Sequence, residues 1–335
     1  MGNKIRILDT TLRDGMHAMS HQFKPIEMAS IAAGLDEANV DTIEVSHGEG
    51  LAGSSFQYGF AAASDEEYLQ AVSQILNRTK LAILLLPGIG TKKDLEIAAK
   101  YGTKVARIAT HVTEADISQQ HIQLAKELGM EAMGLLMMAH MVGVEKVVEQ
   151  AKLMESYGAD MVYLMDSAGT MLPLDVQRKV SALKEDLKIP IGFHAHNNLS
   201  MAVANSLAAI EVGASSLDGT LRGLGAGSGN AMVEVIVAVL DKLGYETGVD
   251  LYKIMDVGEK VLGPMIRRPQ LITNESMMLG YAGVYSSFLL HAYRAAERFK
   301  VDPRDIIAEL GKMKVVGGQE DMIVDVAYEL SRKIK

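Results

Sequence analysis

The sequence predicts a (β/α)8 TIM barrel of the α/β class with a helical C-terminal extension. Three observations predict it. Eight short, β-favouring apolar runs alternate with eight longer helical patterns, the strand signal stops near residue 245, and the turn after the first run has no phosphate-binding glycine pattern. Alternation of this kind belongs to βα units around a parallel sheet. An open, doubly wound sheet more often has fewer strands and a GxGxxG turn after the first, but that turn here reads Thr10-Thr11-Leu12-Arg13-Asp14-Gly15. A barrel takes roughly 250 residues, so a chain of 335 leaves room for one barrel and something smaller.

The predicted strands are residues 5–9, 42–45, 81–86, 105–110, 131–138, 161–165, 189–194 and 216–219. The helical stretches after them are 24–38, 65–77, 91–101, 113–128, 144–157, 173–186, 199–212 and 231–243. Beyond them the chain reads as helices at 251–262, 274–279, 286–299, 303–311 and 319–333, with Thr273-Asn274 and Asp302-Pro303 as starts. A capping side chain and a proline at the first helical position both favour a helix start. We therefore expect a catalytic barrel over residues 1–262 and a helical unit over 263–335.

Composition narrows the chemistry. With 48% hydrophobic and 22% charged residues the chain is an ordinary globular protein with a large core. A net charge of −9 without clustered Lys and Arg argues against nucleic-acid binding. The sequence has no cysteine, which excludes disulfides, thiolate nucleophiles and Cys-ligated metals. No apolar run approaches the ~20 residues of a membrane span, and the first residues lack a signal-peptide core. The expected location is the cytoplasm.

In a barrel, catalytic residues sit at the C-terminal ends of strands and in the loops that follow. His194-Ala195-His196 ends the seventh strand, and residues at i and i+2 of a strand face one side. Asp14 follows strand one, which closure brings beside strand eight and near strand seven. Two imidazoles and one carboxylate leave positions open for water or substrate, the character of a catalytic metal site. Such ligands suit Mn²⁺, Fe²⁺, Co²⁺ or Zn²⁺, and Mg²⁺ less comfortably. Without a metal, the pair is two histidines at a polar strand end.

Arg13 either pairs with a nearby acid or stabilises charge developing on an oxygen. His17, in the same loop, is either a surface histidine or the general base, a task imidazole performs readily at working pH. Ser167 offers a hydroxyl after strand six, where Asp166 orients a neighbour or caps the next helix. Leu84 and Leu86 form an apolar wall beside substrate or pack in the core. The loop Gly223-Leu224-Gly225-Ala226-Gly227-Ser228-Gly229-Asn230 cradles an anion or closes the barrel in a tight turn. Schiff-base aldol chemistry needs an inward lysine near the top of the barrel. Residues 163–168 contain none, and Lys104 lies at the opposite end.

Leu8-Asp9-Thr10-Thr11-Leu12-Arg13-Asp14-Gly15 together with His194-Ala195-His196 resembles the metallolyase superfamily of isopropylmalate synthase, homocitrate synthase and hydroxymethylglutaryl-CoA lyase. Within it, residues 13–18, 84–90, 165–170 and 223–230 and the tail around Tyr281–Ser286 are more similar to the 4-hydroxy-2-oxovalerate aldolases, along essentially the whole chain. That resemblance implies Asp14, His194 and His196 as ligands of Mn²⁺, with Co²⁺ or Mg²⁺ as substitutes, and places substrate beside His194. It implies Arg13 on the enolate, Ser167 on the carboxylate, His17 as base, Tyr285 positioning the C4 end, and Leu84 and Leu86 beside the aldehyde's alkyl group. Glu44 and Asn230 match positions near the metal in other superfamily members.

The implied reaction is retro-aldol cleavage of 4-hydroxy-2-oxopentanoate to pyruvate and acetaldehyde, within meta-cleavage catabolism of aromatic hydrocarbons. The implied partner is an acylating acetaldehyde dehydrogenase, docked through the tail as a heterotetramer with two copies of each subunit and receiving acetaldehyde by channelling. Two other functions compete. A CoA lyase of the superfamily would use a cysteine that is absent here, and the synthases commonly carry glutamine near residues 16–18, where this chain has His17. A scaffold subunit without activity would have no need of the ligand set beside Arg13 and His17.

Overall fold

The computed structural model describes residues 4–333. Eight strands, β1 Arg6–Asp9, β2 Thr42–Glu44, β3 Lys80–Leu85, β4 Val105–His111, β5 Glu131–Met137, β6 Met161–Asp166, β7 Ile191–Ala195 and β8 Ser216–Gly219, close in sequence order into one parallel barrel. β1 pairs with β8 over four residues, Arg6 opposite Ser216 to Asp9 opposite Gly219, which completes the ring. The helices are α1 Gly15–Ala18, α2 Pro25–Glu37, α3 Asp65–Ser73, α4 Lys92–Lys100, α5 Gln119–Glu127, α6 Val144–Ser156, α7 Pro173–Asp186, α8 Ala202–Glu211 and α9 Val233–Lys242. The tail adds α10 Leu251–Asp256, a π turn over Val257–Leu262, α11 Asn274–Ala282, α12 Phe288–Phe299, α13 Pro303–Met313 and α14 Asp321–Lys333.

Alternation along each strand builds two apolar layers. Leu8, Ala82, Leu84, Val105, Ala109, Met133, Leu135, Tyr163 and Met165 point inward and fill the barrel. Their neighbours Ile7, Ile43, Ile83, Leu85, Ala106 and Ile108 point outward into a larger core shared with the helices. A third cluster, including Leu279, Phe288, Ile306, Leu310 and Ile323, belongs to the tail helices alone.

Several element ends differ from expectation for local reasons. β7 begins at Ile191 because Pro190 has no N–H to give the ladder. β5 stops at Met137 because Met138 adopts a left-handed backbone, φ 54°. α3 ends at Ser73, and the backbone N–H groups of Asn77, Arg78 and Thr79 donate instead to Asp36 Oδ1. Ser200, φ 62°, keeps α8 from starting at 199. α12 starts at Phe288, two residues later than expected, and the N–H of Ser286 before it donates to the Ser167 carbonyl. No helix among the described residues is long and apolar enough to cross a membrane.

Candidate active site

Asp14 lies just past β1, where the chain turns into the short helix α1. Only β8 separates β1 from β7, so closure carries Asp14 to the end of β7, where His194 and His196 project. Oδ2 of Asp14 is 3.9 Å from Nε2 of His194 and 3.8 Å from Nε2 of His196, too far for direct hydrogen bonds. Donor atoms of the three residues lie within 4.8 Å of one another, and all three side chains are buried. His194 gives its other nitrogen to Asp218, Nδ1 to Oδ2 at 3.0 Å, and its buried Nε2 has no partner. His196 Nδ1 is likewise unpartnered. Leaving such a nitrogen unsatisfied costs about 1–3 kcal/mol. For His194 the unpartnered nitrogen is the one that faces Asp14, whereas for His196 it is the other one, and each residue still offers a ligand atom within the cluster. Two imidazoles and a carboxylate are a donor set a divalent cation takes, so the residues present fit the ion.

A chain of buried charges frames this cluster. Arg13 donates through Nη1 to Asp14 at 2.6 Å and through Nε to Glu44 at 2.8 Å. Glu44 also accepts from Arg107 at 3.0 Å, and Arg107 donates its other end to Asp218, which holds His194. The path from one would-be ligand to another thus runs Asp14, Arg13, Glu44, Arg107, Asp218, His194, with Arg107 stacked 4.6 Å over the Tyr163 ring. Burial alone would raise Asp14, but Arg13 first and then the three imidazoles hold its carboxyl well below the ordinary range. Burial pushes His196 down to about 4 despite Asp14 beside it. One guanidinium nitrogen of Arg13, Nη2, is buried and has no partner.

The other predicted residues fall around this centre. Asn230 donates to Asp14 Oδ1 at 2.9 Å and Ala226 N–H to the same atom at 3.1 Å, so the glycine-rich loop grips the carboxylate. A Cβ at Gly225 would sit 2.1 Å from the Asn230 amide nitrogen and 2.6 Å from Asp14 Oδ1, which shows how closely the loop is drawn in. Asp166 accepts from the N–H groups of Thr170 and Met171, shaping the loop that presents Ser167. Ser167 Oγ accepts from Met138 N–H at 3.0 Å. Glu44 reaches Arg13 and Arg107, not the three would-be ligands.

His17 and Tyr285 meet at Glu49. The Tyr285 hydroxyl donates to Glu49 Oε2 at 3.3 Å, and His17 Nε2 lies 3.7 Å from Oε1. Burial and Glu49 push the Tyr285 phenol well above its ordinary value. Behind His17, His21 and His47 stack at 4.0 Å. Nδ1 of His47 accepts from Glu49 N–H at 3.1 Å, which leaves Nε2 to donate to the Gly59 carbonyl and fixes a neutral ring. Burial lowers His47 to about 4 and His21 to about 2. A cavity of about 270 Å³ opens beyond Tyr285 and Glu49, bounded by Leu86, Met137 and the tail residues Val316, Gly317, Gly318 and Glu320. Leu84 is not part of that wall; it packs inside the barrel with Leu8 and Ala82.

Sequence reasoning passed over Arg107, Asp218, His21, His47 and Glu49. The first two were signalled by a charged side chain at an inward position of an apolar strand, and the last two by their place in the loop after β2. His21 follows α1 in the loop that carries Asp14.

The HMGL-like family model matches residues 4–261, and the DmpG-like communication domain matches residues 270–332. A 4-hydroxy-2-oxovalerate aldolase from Carboxydothermus hydrogenoformans is 69% identical over 335 residues, the whole of both chains. The chain belongs to the 4-hydroxy-2-oxovalerate aldolase family. A second 4-hydroxy-2-oxovalerate aldolase, from Geobacillus thermodenitrificans, is 61% identical over 98% of this chain and 96% of its own. This aldolase is accordingly a carbon–carbon lyase. Its fold alone is shared with the carboxyl transferase domain of Rhizobium etli pyruvate carboxylase, 19% identical with a TM-score of 0.84, covering 99% of the aldolase and 61% of that chain.

Proposed function

We propose that this protein cleaves 4-hydroxy-2-oxopentanoate to pyruvate and acetaldehyde with the help of a divalent ion, Mn²⁺, held by Asp14, His194 and His196. When bound, the ion supplies a Lewis acid that polarises the substrate's 2-keto group. The observation that carries the proposal is the buried, unpartnered Nη2 of Arg13 beside the three-residue donor set.

Each side chain then has a task its contacts permit. Arg13, anchored through two nitrogens, offers the third to the oxygen that gains negative charge as the enolate forms. Ser167 Oγ accepts from Met138, so its own proton is free to donate to the substrate carboxylate. His17 takes the proton of the C4 hydroxyl, the C3–C4 bond breaks, the C4 oxygen becomes the aldehyde carbonyl, and the bonding pair moves into the enolate; C3 then takes a proton from water to give pyruvate, and His17 returns its proton to water. Tyr285, held by Glu49, positions the C4 end, and Leu86 with Leu84 behind it supplies apolar surface for the alkyl group.

The tail matches a communication domain and closes the cavity beyond Tyr285. We infer that residues 1–262 form the catalytic unit, and that residues 263–335 dock an acylating acetaldehyde dehydrogenase as two copies of each subunit, passing acetaldehyde on through this side. The setting we propose is cytoplasmic meta-cleavage catabolism of aromatic compounds. The deciding experiment is pyruvate release from 4-hydroxy-2-oxopentanoate by metal-stripped protein resupplied with Mn²⁺, Co²⁺ or Mg²⁺. Release restored by Mn²⁺ supports the proposal; no release, with condensation of acetyl-CoA onto a 2-oxo acid instead, overturns it.

A further inference from the structure

The cavity beyond Tyr285 has one sign of charge on its wall. Glu49 from the loop after β2, Glu114 from the loop after β4 and Glu320 just before α14 all border it, and no lysine or arginine does. The rest of the wall is largely apolar. None of the three has a lysine or arginine ion pair among the described residues. Glu320 accepts from the Gln57 amide at 2.6 Å and from Gly318 N–H at 3.1 Å, and Glu49 accepts from the Tyr285 hydroxyl. The titratable groups near them are His17, 3.7 Å from Glu49, the Tyr58 and Tyr285 phenols, His111 on the wall beside Glu114, and His291 within the field of Glu320 and Glu49. Burial lowers both His111 and His291, which keeps those rings uncharged. The field is felt by the wall itself: burial, then Glu320 and Glu49, push the Tyr58 phenol up to about 12. Arg294 interacts with His291 on α12 rather than bordering the cavity.

The two ends of the site differ in what they offer a negative charge. Arg13 and the ion-binding cluster lie at one end, suited to a 2-oxo carboxylate. Three carboxylates border the other. We infer that Glu49, Glu114 and Glu320 make this cavity select uncharged aldehydes and reject those carrying a carboxylate. The inference rests on the aldolase reaction proposed above and adds to it the class of aldehyde. A unit negative charge brought within several ångströms of each carboxylate, in a site only partly open to water, is disfavoured about three- to tenfold per carboxylate.

The test runs the reaction in the direction of aldol addition, pyruvate plus either propanal or glyoxylate, with Mn²⁺ present. Glu114 and Glu320 lie outside the catalytic groups, so the doubly substituted Glu114→Gln, Glu320→Gln protein is compared with its parent and with the charge-retaining Glu114→Asp, Glu320→Asp protein. Expected is a rise of about tenfold or more in kcat/KM for glyoxylate in the Gln protein only, with propanal within twofold throughout. An unchanged glyoxylate value, or an equal rise for propanal or in the Asp protein, overturns the inference while the aldolase reaction stands. Failure of the parent to add propanal to pyruvate overturns the reaction itself, and the inference with it.

Discussion

Asp218 Oδ2 accepts a hydrogen bond from His194 Nδ1 at 3.0 Å, and this contact decides which imidazole nitrogen faces Asp14. A carboxylate behind a ligating histidine fixes its tautomer and strengthens it as a donor, an effect of about 10–100-fold in metal affinity. Asp218→Asn keeps the volume and removes the charge. We expect Mn²⁺ affinity to fall by that factor, read by calorimetric titration; an affinity within threefold of the parent would show that Asp218 does not orient His194.

Arg107 lies wholly inside the barrel between Glu44 and Asp218. Removing one partner of a buried ionic group costs about 3–5 kcal/mol, because the remaining charge has nothing to compensate it. Here Glu44 would keep only Arg13 and Asp218 only His194. Arg107→Met is expected to lose at least ~3 kcal/mol in urea unfolding, and Arg107→Lys, which keeps the charge but not the fork, an intermediate amount. A Met protein as stable as the parent would mean that Arg13 and His194 suffice for the two carboxylates.

Gly225 tests the grip of the loop on Asp14. An added methyl would lie 2.1 Å from Asn230 Nδ2 and 2.6 Å from Asp14 Oδ1, side-chain ends that are buried and held by hydrogen bonds, Asn230 to Asp14 and the Leu224 carbonyl and Asp14 to Arg13. Gly225→Ala should displace Asp14 and weaken Mn²⁺ binding by about tenfold or more, while circular dichroism shows the barrel intact. Undiminished Mn²⁺ binding in a folded Gly225→Ala protein would break the link between loop and ligand.

The barrel was legible because alternation of apolar runs and helical patterns is a local signal, and Asp14, His194 and His196 because strand ends map onto one face of a barrel. The chain of charges was not. Arg107 and Asp218 sit 111 residues apart, and only closure of the sheet brings them together. Glu49 was missed because its partners, His17 before it and Tyr285 in the tail, are distant in sequence and brought to it by tertiary packing alone. The loop of residues 223–230 was open to two readings because glycine allows both an anion cradle and a close turn; Asn230 and Ala226 donate to a carboxylate of the chain itself, Asp14, which combines the two.

His21 has a pH consequence with a definite sign. Burial, with His17 and His47 nearby, lowers its folded pKa to about 2, whereas the unfolded chain titrates near the ordinary 6.5. Between these values the unfolded state holds a proton the folded state lacks, so the stability present above 6.5 is lost as pH falls. His21→Phe removes that loss and keeps a ring against His47. Relative to the parent it should be stabilised by roughly 2 kcal/mol more at pH 5 than at pH 8. Urea unfolding at both pH values decides it, and a difference independent of pH would rule out the titration of His21.

His17 separates chemistry from metal binding. Its ring faces Glu49 at 3.7 Å and is not one of the three grouped donors. If it takes the C4 hydroxyl proton, His17→Ala removes a general base, a loss of about 10²–10⁴ in rate, with the three would-be ligands untouched. Turnover of 4-hydroxy-2-oxopentanoate should fall by that amount while Mn²⁺ affinity stays within about threefold. Turnover and affinity falling together would place His17 in support of the ion instead. A small fall in kcat with a large rise in KM would mark it as a group that holds substrate, since a base acts in the transition state and not only in the bound complex.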